Sequence, residues 1–268
     1  MRDALRIGFL GYLFNLAPLG IVGGDLLKAV ILARERPGPN CRSKALASVV
    51  VDRIVGLYVL FLMASASIFV GEFWDWSKPW IQVAVLGITL LSTVGGLAVL
   101  MIPATLEGRL ATAMTRLPKV GPAIESLLAA LRIYREDRGG LFLSCLLTVP
   151  VHGLFAVGMF MLSRGLRFTD VPWNDFLALY TISGILQTIP LPAGPMELGL
   201  VGLYQMAWLK ATGATVVATA KSQGLILALA YRLVMILIAP IGLVYYYLGG
   251  RREVAELASA DDEEVGYP

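Results

Sequence analysis

Hydrophobic residues in this chain run in long uninterrupted blocks. They show neither the alternation of a half-buried strand nor the single apolar stripe of a surface helix. Four blocks, at residues 45–70, 79–102, 141–163 and 216–248, reach the roughly 20 residues that an α-helix needs to cross a bilayer. Four more are shorter, at residues 4–16, 25–34, 173–189 and 196–211. The short ones come in pairs, each pair interrupted by a Pro/Gly-rich break at residues 17–24 or 190–195. Backbone broken at membrane depth persists only where it is enclosed by protein or lines a cavity. Each pair therefore reads as a re-entrant hairpin. The competing reading is a kinked or full-length helix plus a loop, and the likeness of the two breaks favours the hairpin.

A long span follows each hairpin, so one plan occurs twice. Pro18-x-Gly20…Asp25 stands against Pro192-x-Gly194…Glu197, and Asp52-Arg53 against Tyr231-Arg232. An odd number of crossings separates the hairpins, which puts them on opposite sides of the membrane. The predicted fold class is all-α: a polytopic integral membrane helix bundle of two inverted repeats, each a re-entrant broken-helix hairpin plus a long span. Transporters of this plan carry their substrate site near the midplane, where discontinuous helices end.

Composition agrees with a membrane protein. Of 268 residues, 57% are hydrophobic and 15% charged, with mean hydropathy +0.74; a soluble domain carries about 25% charge. The formal net charge of +3 is small, so its distribution matters more than its size. Arg2, Arg6, Arg34, Arg36, Arg42, Lys44, Arg109, Arg116, Lys119, Arg132, Arg135, Arg138, Arg251 and Arg252 fall on one side; Lys78, Arg164, Arg167 and Lys210 fall on the other. The positive-inside rule makes the first side cytoplasmic, with both termini. Residues 1–248 form one transmembrane domain, and 249–268 an acidic cytoplasmic tail predicted to be disordered. Residues 103–140 carry Leu106, Leu110 and Leu117 at helical spacing among arginines. They read as a basic amphipathic helix at the membrane surface or a cytoplasmic helical hairpin on the bundle. The N-terminus does not read as a signal peptide, because Asp3 interrupts the basic region and no small-residue cleavage site follows.

Charges inside apolar spans are costly and mark functional positions. Arg53 sits about 12 Å along its predicted span, at 1.5 Å per residue, and Arg232 near the middle of the last one. Arginine offers phosphate a planar fork of donors. Asp25 and Glu197 each open a half-helix after a break. Each reads as an N-cap, or as a group near an anion-binding helix terminus that attracts a cationic headgroup. Gly23 and Gly24 let a substrate approach that terminus. Buried ion pairs with Asp25, Asp52 or Glu197 are the competing reading for Arg53 and Arg232, and the preferred one for Asp52. Lys221 snorkels to the outer end of its helix. His152, the single histidine, reads as a hydrogen-bonded residue inside the bundle or a proton relay. Cys41 and Cys145 lack metal-ligand spacing and read as unpaired thiols. No cofactor, metal or nucleotide fingerprint is present, and a nucleic-acid partner is not indicated.

PLGIVGGDLLKAVILAR, SKALASVVVDRIVGL and PLPAGPMELGLVGL resemble the lysylphosphatidylglycerol synthase transmembrane-region family, a flippase-like group. The shared pattern is Pro18…Gly23-Gly24-Asp25, Lys28, Asp52-Arg53-x-x-Gly56 and Pro192-x-Gly194-x-x-Glu197. The resemblance covers the chain to about Leu248. It implies handling of lipid or lipid-linked substrates in the cytoplasmic membrane of a prokaryote, and it implies further spans ahead of the first break. The aminoacyltransferase domain of the full synthase is absent from the sequence, so lysyl transfer is not expected. The candidate substrate-binding set is Gly23, Gly24, Asp25, Lys28, Asp52, Arg53, Glu197 and Arg232. The expected function is translocation of a phospholipid or lipid-linked headgroup by a non-enzymatic flippase whose partners are membrane lipids. The alternative is a non-transporting membrane partner of a glycosyltransferase or lipid-modifying enzyme. An ion or small-solute transporter comes third.

Overall fold

A computed structural model describes residues 8–9, 11–13, 29, 41–70, 77–101, 115, 128, 138–189, 194–245 and 247. The described residues are helical or loop, with no strand among them. Their main helices, in chain order, are α1 Cys41–Val70, α2 Pro79–Met101, α3 Arg138–Gly165, α4 Asp175–Leu186, α5 Pro195–Thr212 and α6 Val217–Tyr245. Four are long and apolar enough to cross a membrane, over Ser48–Val70, Pro79–Ala98, Arg138–Gly165 and Val217–Val244. The expected spans are all present. The first break, the segment 103–140 apart from Thr115, Leu128 and Arg138–Gly140, and the tail lie outside the described residues.

Several boundaries shift for local reasons. α1 starts at Cys41 and takes in Arg42 and Lys44, which the sequence reading left in a loop. Nothing helix-breaking stands between Pro39 and the apolar block, so the helix extends back toward that proline. α4 is shorter at both ends than the expected 173–189. Asp175 N donates to Pro172 O and Phe176 N to Trp173 O, so the chain enters through a tight turn. It leaves through three successive i→i−3 bonds at Gln187, Thr188 and Ile189. α5 ends at Gly213, whose φ of +64° closes the left-handed cap and whose N–H donates to Leu209 O at 3.0 Å. Pro150 lies inside α3 and Pro240 inside α6, where each removes one helical hydrogen bond.

The chain forms two compact units, Met1–Val49 with Arg232–Pro268, and Val50–Tyr231. In the first, the Tyr12 hydroxyl donates to Met235 O at 2.9 Å. Gly242 there packs against the Phe9 carbonyl and Leu13, which leave no room for a side chain. In the second, α4 packs on both α3 and α5. Its core includes Val59, Met159, Leu179, Leu200, Tyr204 and Leu227, all essentially buried. α5 and α6 approach closely at Gly224: a Cβ there would lie 3.2 Å from Val201 Cα and 3.3 Å from Tyr204 Cβ. Hydroxyls join α1 to α2, with Ser65 2.7 Å from Thr89 and Tyr58 3.2 Å from Thr93. Such interhelical bonds are the usual adhesive between apolar helices in lipid.

Candidate functional site

Of the candidate set, Asp52, Arg53 and Glu197 lie in Val50–Tyr231. Asp52 and Arg53 are exposed on α1, near the start of its apolar stretch at Ser48. Because α1 begins at Cys41, Arg53 stands about 18 Å from its helix terminus rather than the 12 Å read from the sequence. Gly56 follows one turn later. Its burial is intermediate, and a Cβ there would meet nothing within 4 Å.

Glu197 is not the N-cap read from the sequence: Gly194 is, and Glu197 stands at the third helical position and reaches back to it. Gly194 has φ +119°, a conformation that only glycine adopts easily, and its N–H donates to Glu197 Oε2 at 2.9 Å. Pro195 follows as the first helical residue, where its missing N–H costs nothing. The carboxylate thereby satisfies a donor at the start of α5 that would otherwise be orphaned. Arg232, in the other unit, occupies the middle of the 29-residue α6. Its burial is intermediate, and its charge acts on the Tyr12 hydroxyl. Gly23, Gly24, Asp25 and Lys28 lie outside the described residues.

A second polar feature gathers around His152, at the middle of the 28-residue α3. Its Nδ1 is 3.0 Å from the hydroxyl of Tyr180, at the middle of α4. Phe155 stacks on the Tyr180 ring at 5.8 Å between centroids, and Tyr231 of α6 meets it edge-on at 6.5 Å. Four rings from three helices thus form one layer. His152 Nε2 is buried with no hydrogen-bond partner. The Gly56 backbone of α1 lies close enough to act on the ring. Sequence reasoning reached His152 and, as a repeat match only, Tyr231, but not Tyr180 or the meeting of the three. The available signal was a phenol near the centre of each of α4 and α6.

The family model for the lysylphosphatidylglycerol synthase TM region matches residues 1–243. The chain belongs to that family. No curated protein and no solved structure matches it. With four apolar spans as well, it is a multi-pass membrane protein. The matched TM region of lysylphosphatidylglycerol synthase is the non-catalytic part. The Pro-Gly-Glu break, the Asp-Arg pair and the mid-helix arginine all fall inside the match.

Proposed function

We propose that this member of the lysylphosphatidylglycerol synthase TM-region family is a non-enzymatic flippase in a prokaryotic cytoplasmic membrane. It carries a phospholipid or lipid-linked headgroup across the bilayer, with both termini cytoplasmic. The observation that carries the reading is Arg232, a cation at the middle of a 29-residue apolar helix. A charge at that depth is expensive, and an arginine there has the donor geometry for a phosphodiester. Arg53 supplies a second such fork within the apolar stretch of α1. Asp25 and Glu197 order the half-helices, and Gly23, Gly24, Lys28 and Asp52 complete the substrate-binding set. The paired hairpin-plus-span halves are the inverted repeats that alternating access uses.

The test is reconstitution of the purified chain into phosphatidylcholine vesicles containing a headgroup-labelled phosphatidylglycerol, with dithionite quenching to follow its movement. The expected result is protein-dependent flipping that Arg53→Ala and Arg232→Ala each reduce at least tenfold while insertion is unchanged. Lysine restores only part of the rate, because a point charge replaces a planar fork. Normal flipping by both alanine variants would make the arginines structural. No flipping by the wild type of any labelled lipid would leave the chain as a membrane partner of a lipid-modifying enzyme or glycosyltransferase.

A further inference from the structure

α3 closes on a turn that holds an arginine where glycine is usual. Phe168 N–H donates to Ser163 O and Arg167 N–H to Arg164 O, both at 2.9 Å. Those two bonds make a Schellman cap, in which the residue before the last donor is left-handed. That residue is Arg167, at φ +63°, the one non-glycine residue with positive φ among the described residues. An L side chain crowds the backbone in this conformation, and glycine avoids the crowding. Gly165 stands only two positions earlier, yet the cap itself carries the arginine. The chain therefore accepts backbone strain to keep a guanidinium at this point.

Two arginines share the turn, and they are used differently. Arg164 lies over the Phe160 ring at 4.9 Å, and its Nη1 donates to Thr169 O at 2.9 Å. It is the basic residue of the last turn of α3, where it complements the helix dipole. Arg167 is exposed, and among the described residues its guanidinium bonds to nothing. The turn itself is fixed from two sides. Ser163 Oγ donates to Phe168 O at 3.1 Å, and Trp208 Nε1 of α5 donates to Asp170 Oδ2 at 2.8 Å. A free guanidinium thus stands on a rigid, strained platform, and such strain concentrates at ligand contacts.

The surroundings say which anion it meets. Only 11% of the crossing stretch of α3 is buried, and Leu154 and Met161 are open on its side. Trp173, on the same connection, is also exposed, as indoles at the headgroup level are. Arg167 therefore stands where a lipid-facing helix ends and headgroups begin. The anion at that level is the lipid phosphodiester, which the planar donor fork matches. Lys210, exposed two residues beyond Trp208, adds a second cation at this end of α5.

We propose that Arg167 binds the phosphodiester of an anionic phospholipid in the leaflet at this end of α3. The contact holds a lipid at the rim of the protein and needs no passage between leaflets, so it goes beyond the translocation reading.

The test places the full chain in nanodiscs of phosphatidylcholine with a minor fraction of phosphatidylglycerol. Photo-crosslinking benzoylphenylalanine replaces Thr169, which is exposed and serves the turn through its backbone carbonyl. Mass spectrometry of the captured lipid identifies its headgroup. Phosphatidylglycerol is expected about fivefold above its share of the bilayer, the size of one basic contact at an anionic lipid surface. Arg167→Gly and Arg167→Asn both suit the left-handed turn, and both should return capture to the bilayer share. Arg167→Lys should keep part of the enrichment. Without phosphatidylglycerol, Arg167→Gly should melt no lower than the wild type, because relief of the backbone offsets a charge lost near the helix end.

Capture by the wild type at the bilayer share overturns the proposal. Enrichment that survives in both the glycine and asparagine variants also overturns it, and assigns the lipid to another cation such as Lys210. A glycine variant that melts well below the wild type makes Arg167 a structural part of the turn and overturns it as well. Flipping in vesicles is a separate measurement, so the translocation reading stands or falls independently of this contact.

Discussion

α2 and α4 are both apolar helices of the Val50–Tyr231 unit, yet they keep opposite company. Along the crossing stretch of α2 only 11% of the residues are buried, and Trp80, Val83, Leu90, Leu91 and Val94 all point outward. In α4 nine of twelve residues are buried, among them Asp175, Thr181 and Ser183. Hydropathy does not separate the two; length does. The 23 residues of α2 extend about 35 Å, enough to cross the hydrocarbon and be solvated by lipid along the way. The 12 residues of α4 extend about 18 Å, too short to cross the hydrocarbon alone, and protein encloses most of them. Within α4 the hydroxyls turn back on the helix, Thr181 to Leu177 O at 2.7 Å and Ser183 to Leu179 O, so burial strands no donor there.

Glycine substitution breaks this contrast most strongly. Gly224→Leu should cost about 1–3 kcal/mol or more, because the new side chain meets Val201 backbone, which cannot rotate away. Gly95→Leu on α2 should stay within about 0.5 kcal/mol, since nothing lies within 4 Å of the added Cβ. Thermal unfolding in detergent compares them directly. Equal losses would mean that the open face of α2 is covered by protein and not by lipid.

The capped break gives the next effect. Glu197→Ala should lose about 1 kcal/mol by orphaning the Gly194 N–H, whereas Glu197→Gln should hold stability, since either side chain can accept that bond. Lipid flipping by the stable glutamine variant then sharpens the reading of the hairpin. Retained flipping makes Glu197 a cap alone, and lost flipping adds a role for its charge. The smallest effect belongs to the contact between α1 and α2. Ser65→Ala removes the hydroxyl bridge to Thr89 and should cost about 0.6 kcal/mol, typical of interhelical bonds in a membrane. Ser92→Ala, whose hydroxyl only returns to its own helix at Ile88 O, should be silent. A loss at Ser92 as large as at Ser65 would place α2 against an unrecognised neighbour.

Helix type and the four long spans were legible in the sequence because the cost of leaving lipid is a sum over residues, and a run of about twenty apolar ones is decisive by itself. The spans came out within a few residues of their expected ends, and the second break was readable from Pro192, Gly194 and Glu197. Proline and glycine act on their own backbone, so such positions need no tertiary partner to be recognised. The first break and its Gly23, Gly24, Asp25 and Lys28 rest on sequence alone. Which face of each helix turns inward was not legible. These helices are apolar all round, and rotating one about its axis leaves the hydropathy pattern unchanged. Only the folded chain decided that Gly224 abuts Val201, that α4 is enclosed while α2 is open, and that His152 meets Tyr180 across 28 residues of sequence. Those pairings depend on shape and on hydrogen bonds between separate helices, and a one-dimensional count of apolar residues contains neither.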